Sequence, residues 1–367
     1  MRKSVLHKLA CGALLVMLTA PVLAAPDTFK DPLDVQATML KRRLDSTHTN
    51  AITQAGNRLV AVGIGGLVVY SDDGGKKWLQ GSVPVSSDLT DVYFPTADTG
   101  WAVGQDGVVL RTRDAGQSWE KQLDGRMTKK LLTDHFEALA ASGNPDAQKY
   151  LQDVQLNYEG GPEQVLLSVW FKNEQQGFVS GSFGTLLATD DGGATWTSWV
   201  EKVEAETPPH FYGIRGTRFG VMMVSEQGVV FRLDPDKERF VPMQTGYNGT
   251  FFSLLETKDS VFALGLRGNA YRLKPETMNW EKMETGASGS ITSGAQLADG
   301  SVLLATQMGQ LLMTRDDGAS FHKVQVAQPM SFTGIVAVGP NTTEPSTTKT
   351  SAIAASGLSG VRAMTLP

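Results

Sequence analysis

Cysteine is almost absent: the 367 residues contain one, Cys11, in an apolar stretch near the start. The rest of the chain therefore cannot carry a disulfide framework, a Cys-ligated zinc or a dithiol redox pair. Histidine is nearly as scarce, with five residues. His48, His135, His210 and His322 stand far apart, without HExxH or H-x-H spacing, so neither a catalytic metal nor a cofactor is expected. Charge is thin as well, at 19% Asp, Glu, Lys and Arg with a formal net of −5. The balance becomes more negative once Arg2, Lys3 and Lys8 are set aside as part of a removable leader, which argues against a nucleic-acid partner. Beyond the leader no apolar run is long enough to span a bilayer.

What the chain does have is 39 glycines, 16 prolines and 41% hydrophobic residues, the composition of a turn-rich globular protein with a large core. Its first 24 residues read as a signal peptide, with Arg2, Lys3 and Lys8, an apolar run from Leu9 to Leu23, and small residues around Ala24-Ala25. Thr19 and Pro21 interrupt the run and make an uncleaved anchor the weaker reading. Cys11 lies within the run rather than after it, which is the wrong place for a lipid-acceptor cysteine. The expectation is an exported protein, periplasmic or secreted, that is not transmembrane once cleaved.

An internal repeat dominates the remainder. A Gly-x-x-Gly turn, or a small-residue variant, follows a short apolar strand at Gly63–Gly66, Gly104–Gly107, Gly181–Gly184, Ser225–Gly228, Gly265–Gly268, Thr306–Gly309 and Gly357–Gly360. Most intervals lie near 40 residues, and the long one follows the second copy. Flanks such as "GWAVG" and "VVLRT" are β-hairpin arms, with glycine supplying positive φ. Three or four strands per period, seven times over, predict an all-β, seven-bladed β-propeller over residues 50–367. The last copy is one outer strand short, so residues 25–49 are expected to close the ring, with Asp31–Leu44 as donor.

A second motif, S/T-x-D-x-G-x-x-W, ends the third strand of four copies. It comprises Ser71, Asp73, Gly75 and Trp78; Thr112, Asp114, Gly116 and Trp119; Thr189, Asp191, Gly193 and Trp196; and Thr314, Asp316, Gly318 and Phe321. Recurrence argues for a structural turn, because a catalytic carboxylate is needed once and a turn-former in every repeat. The hydroxyl and carboxylate should bind turn amides and the aromatic should tuck between strands. In the fourth and fifth copies, "RLDPDKERF" and "RLKPETMNW", only the aromatic end survives.

Segments such as "GWAVGQDGVVLRTRDAGQSW" and "GFVSGSFGTLLATDDGGATW" resemble the Asp-box (BNR) repeats of sialidases and of many non-enzymatic propellers. In cadence they are similar to the photosystem II stability/assembly factor-like family, across about Asn50 to Pro367. That resemblance implies a protein-binding assembly or accessory factor for a membrane or envelope complex, not an enzyme. A sialidase-like glycoside hydrolase and a glycan-binding propeller remain alternatives. No R-I-P sequence is present, and Arg215 in "FYGIRGTRFG" is read as a solvated surface residue.

Two departures from the repeat remain. Residues 126–163 predict a helical hairpin between the second and third blades. Its apolar stripe of Met127, Leu131, Leu132, Phe136 and Leu139 either packs on the ring or docks a partner. The polar stretch 339–351 predicts a flexible loop in the last blade.

Overall fold

A computed structural model describes residues 30–41, 43–338 and 352–366. The expected signal peptide and the 339–351 loop lie outside the described residues. From Asp31 onward the chain forms a ring of seven antiparallel sheets, each running in sequence order from the channel to the rim. Blade 1 holds β1 (Thr49–Ala55), β2 (Arg58–Gly63), β3 (Val68–Ser71) and β4 (Leu79–Gln80). Blade 2 holds β5 (Leu89–Tyr93), β6 (Gly100–Gly104), β7 (Val109–Thr112) and β8 (Glu120–Leu123). Helices α1 (Gly125–Ala141) and α2 (Ala147–Asn157) intervene before blade 3, which is β9 (Leu166–Phe171), β10 (Gly177–Gly181), β11 (Leu186–Thr189) and β12 (Thr197–Ser198). Blade 4 is β13 (Phe211–Thr217), β14 (Gly220–Ser225), β15 (Val229–Asp234) and β16 (Arg239–Gln244). Blade 5 is β17 (Phe251–Glu256), β18 (Val261–Gly265), β19 (Ala270–Lys274) and β20 (Asn279–Met283). Blade 6 is β21 (Ile291–Gln296), β22 (Val302–Thr306), β23 (Leu311–Thr314) and β24 (His322–Val324), and blade 7 is β25 (Phe332–Val338), β26 (Ala352–Gly357) and β27 (Gly360–Thr365).

The second strands are apolar along their length because blades stack face to face and bury both sides; every residue of β6, β18 and β22 is buried. Outer strands such as β20 are mostly exposed. The two turn glycines do different jobs. Gly107 has φ +66, the left-handed conformation expected of it. Gly104 is extended, and a side chain there would put Cβ 2.1 Å from the carbonyl oxygen of Asp88 on the connection into β5.

Closure corrects the expectation for Asp31–Leu44. Among the described residues blade 7 has three strands, and this segment is not its fourth. Asp31 caps a 3-10 turn (Pro32–Asp34) through Leu33 N at 2.9 Å, and Pro32 offers no amide donor. Leu33 and Ala37 are instead buried in the core between blades 1 and 2, and Arg126 grips Asp34 with two bonds of 2.9 Å. Only the end of the segment reaches blade 7, where Asp45 and Ser46 pass against Gly360. Blades 7 and 1 join by packing, with Trp78, Leu59 and Ile52 against Ala354 and Val361, and by Thr333 Oγ1 donating to Thr49 O at 2.9 Å.

Candidate functional site

Strand order assigns every loop to a face. In an antiparallel meander the turn between second and third strands lies at the same end as the connection to the next blade. The Gly-x-x-Gly turns therefore share one face with the helical insertion. The Asp-box turns lie on the opposite face.

On the Asp-box face the four motifs repeat one geometry. Each Gly amide donates to the Ser or Thr hydroxyl at 2.9 to 3.0 Å. That hydroxyl donates to Asp Oδ1 at 2.7 to 2.9 Å. The amide four residues after Asp114, Asp191 and Asp316 donates to the same oxygen at 2.9 Å. These bonds favour the charged carboxylate. The Ser320 hydroxyl, then Thr314 and the Ser320 amide, hold Asp316 down to about 2. In Asp114 burial pushes upward, yet the Ser118 hydroxyl and amide outweigh it and the net direction is down. The aromatics wedge against the preceding blade: Trp78 against Val361, Trp119 against Val60, Trp196 against Trp101, and Phe321 against Phe262 and Met283. All four carboxylates are spent within their own turns.

Of the two readings left open for the helical stripe, the structure shows packing on the ring. Asp124 caps α1, accepting from Arg126 N and Met127 N at 3.0 and 3.1 Å. Leu132 and Phe136 are buried in a core with Val103, Val109 and Leu166 of blades 2 and 3, and Phe136 stacks on Tyr150 of α2 at 4.8 Å. Leu131 and Leu139 are half-buried against the same core, and of the five residues only Met127 is exposed. The stripe faces the ring because the ridge between two blades is the nearest apolar surface.

The inner strands carry a feature that periodicity did not announce. In all seven blades the register between first and second strands skips one residue near the start, a β-bulge at Asn50, Thr90, Leu167, Tyr212, Phe252, Thr292 and Thr333. Every one of these lines the central channel, in a space of about 150 Å³. On four blades the bulged side chain stitches to the next: Asn50 to Leu89 O, Thr90 to Leu166 O, Thr292 to Phe332 O, and Thr333 to Thr49 O, at 2.5 to 2.9 Å. Blades 3, 4 and 5 carry Leu167, Tyr212 and Phe252 there instead. No single residue type is shared by all seven bulge positions, so the sequence carried no signal for them.

Arg215 also needs correction. It is no free surface residue but lies in the channel, where Nη2 meets Asp91 Oδ2 at 3.2 Å and Nη1 donates to Ser168 Oγ and Val169 O at 3.0 Å. It ties blade 4 to blade 2 across blade 3. Asp91 is the one carboxylate lining the channel among the described residues. Arg218 is elsewhere, paired with Glu256 at 3.0 Å.

On the face with the insertion an aromatic track leads from rim to channel. Phe183, at the tip of the blade 3 turn, lies 4.9 Å from His210; His210 is 6.3 Å from Tyr212, and Tyr212 meets Phe252 edge-on at 5.6 Å. Phe183 is 56% exposed and holds φ +51, an unfavourable conformation for a bulky residue. Ile64, Met308 and Leu358 expose apolar side chains at the corresponding turns of blades 1, 6 and 7. These four side chains share the face that carries the helical insertion.

Against known proteins, a family described as "Photosynthesis system II assembly factor YCF48" matches residues 29–113 and 74–140. The chloroplastic photosystem II stability/assembly factor HCF136 of Cyanidioschyzon merolae is 36% identical over 73 residues, 19% of this chain and 17% of that protein's length. A solved YCF48 bound to D1 peptide superposes with a TM-score of 0.62 at 18% identity, covering 90% of this chain and 99% of that one. YCF48 from Cyanidioschyzon merolae gives 0.61 at 17%, over 90% and 98%. At these identities the structural likeness is one of fold. Repeat cadence, partial family match and fold point the same way: the chain is a seven-bladed Asp-box propeller that is similar, over residues 29–140, to the photosystem II assembly factor family.

Proposed function

We propose that this protein is an exported, non-enzymatic propeller that binds a protein partner as an assembly or accessory factor for a membrane or envelope complex. The observation that carries the reading is the aromatic track from Phe183 to Phe252, together with the apolar tips Ile64, Met308 and Leu358 on the same face. Aliphatic and thioether tips suit a polypeptide surface, whereas sugars stack chiefly on aromatic rings. A similar propeller solved with a D1 peptide gives the reading its precedent, and the N-terminal leader is the ground for export to the periplasm or beyond. The Asp91–Arg215 pair argues against glycoside hydrolysis, which needs two carboxylates about 5 to 10 Å apart.

A glycan-binding role is the second reading, because the same four rings line one path. Tagged mature protein and its Phe183→Ser variant, exposed to solubilised envelope and to a glycan array, separate the two. An envelope subunit retained by the parent and lost by the variant, at equal melting temperature, supports protein binding. Capture that is absent or equal in both refutes it, and array binding lost in the variant moves the assignment to glycans.

A further inference from the structure

Among the described residues blade 7 is the exception in an otherwise four-stranded ring, and the place of its fourth strand is a shaped one. Beside the outer edge of β27 lies a groove of about 620 Å³, walled by Lys76 and Trp78 of blade 1 on one side and by Gln325 and Gln328 beyond blade 6 on the other. An antiparallel edge strand turns the N–H and C=O of alternate residues outward, and an exposed edge of this kind is a template for another strand. The six sibling blades show what fills the equivalent position: an antiparallel strand of two residues, as in β4, up to six, as in β16. The described N-terminal segment does not fill it. Leu40 N and Thr38 O are bound to Gln80 on blade 1, and Asp45 and Ser46 pass against the start of β27 at Gly360 without pairing with it as a strand.

The walls also select for charge. Lys76 and Arg362 are the cations of the groove, against one carboxylate, Asp45. Lys76 is exposed, and Arg362 is half-buried with its Nη1 on Gln328 O at 3.0 Å.

We propose that blade 7 is completed in trans: an extended, acidic segment of a partner polypeptide lies antiparallel along β27 as its fourth strand. Backbone pairing supplies the affinity, and the cations favour Glu or Asp at the side-chain positions that face them. This surface is the rim of the ring, separate from the aromatic face, and it stands or falls independently of the function proposed above.

The probe is a fluorescein-labelled heptapeptide alternating Thr or Val with Glu, titrated into the mature protein by fluorescence polarisation. Three controls accompany it: the same peptide N-methylated at alternate residues, a Lys-for-Glu peptide, and the double variant Lys76→Glu, Arg362→Glu. Binding of the acidic peptide, weakened at least about tenfold by each control, with slowed hydrogen exchange at the amides of β27, is the expected result. Absence of binding, equal binding of the N-methylated peptide, or protection elsewhere than β27 overturns it. Sedimentation decides the occupant: a dimer that the peptide dissociates assigns the edge to a second copy. Binding that appears only when residues 25–30 are removed assigns it to the chain itself. Either outcome refutes a partner strand.

Discussion

If the helical hairpin is part of the ring's core, Phe136→Ala is the substitution that shows it. Phe136 is 1% exposed, stacked on Tyr150 at 4.8 Å and enclosed by residues of blades 2 and 3. Truncating a buried Phe removes its transfer free energy and leaves a cavity, together about 3 to 5 kcal/mol. The low end applies, because the ring already borders a groove of about 160 Å³ under the helices, into which the site can relax or admit water. A cooperative unit of roughly 340 residues has an unfolding entropy near 0.7 kcal/mol per kelvin, so about 3 kcal/mol lowers the melting temperature by roughly 4 °C. Calorimetry with circular dichroism at 222 nm measures this, with Leu156→Ser as the exposed control at 68% accessibility. The expected pattern is a single transition shifted down in Phe136→Ala and unmoved in Leu156→Ser. A Phe136→Ala protein that melts within about 1 °C of the parent and loses its partner would refute the packing argument and restore the stripe as a docking surface. Two separated transitions would refute the assumption that hairpin and ring unfold together.

The Asp-box reading gives two further expectations. Asp114→Ala forfeits bonds to Thr112 and Ser118 and should cost about 1 to 2 kcal/mol, read as a shift in urea midpoint, with partner capture unchanged. Asp316 titrates near 2 in the folded protein against an ordinary 3.8, so its contribution is complete above about pH 4 and is lost as pH falls toward 2. The melting temperature of the parent should therefore drop more steeply across that window than that of Asp316→Asn; parallel curves would count against the depressed carboxylate.

Much of this architecture is legible without coordinates because propeller blades are built from local contacts. A Gly-x-x-Gly turn needs positive φ, an Asp-box satisfies its own amides within eight residues, and a doubly buried strand must be apolar. Each constraint leaves a mark at a constant offset in the chain, and seven repetitions raise that mark above chance. The amphipathic period of α1 is local in the same sense.

Tertiary structure decided everything that depends on which surfaces meet. The spacing of Leu132 and Phe136 defines a stripe but not whether blade or partner covers it. Arg215 is one arginine among many in the sequence, and only the closed ring brings it to Asp91, 124 positions away. The seven bulges became a channel lining because the inner strands converge on one axis. The shortfall of one strand in blade 7 is visible in the chain, yet the segment expected to fill it is held between blades 1 and 2 by Leu33 and by the Asp34–Arg126 pair. Local turns carry their energy within a few residues and so write themselves into sequence, whereas packing partners are chosen by a global minimum that no short window contains.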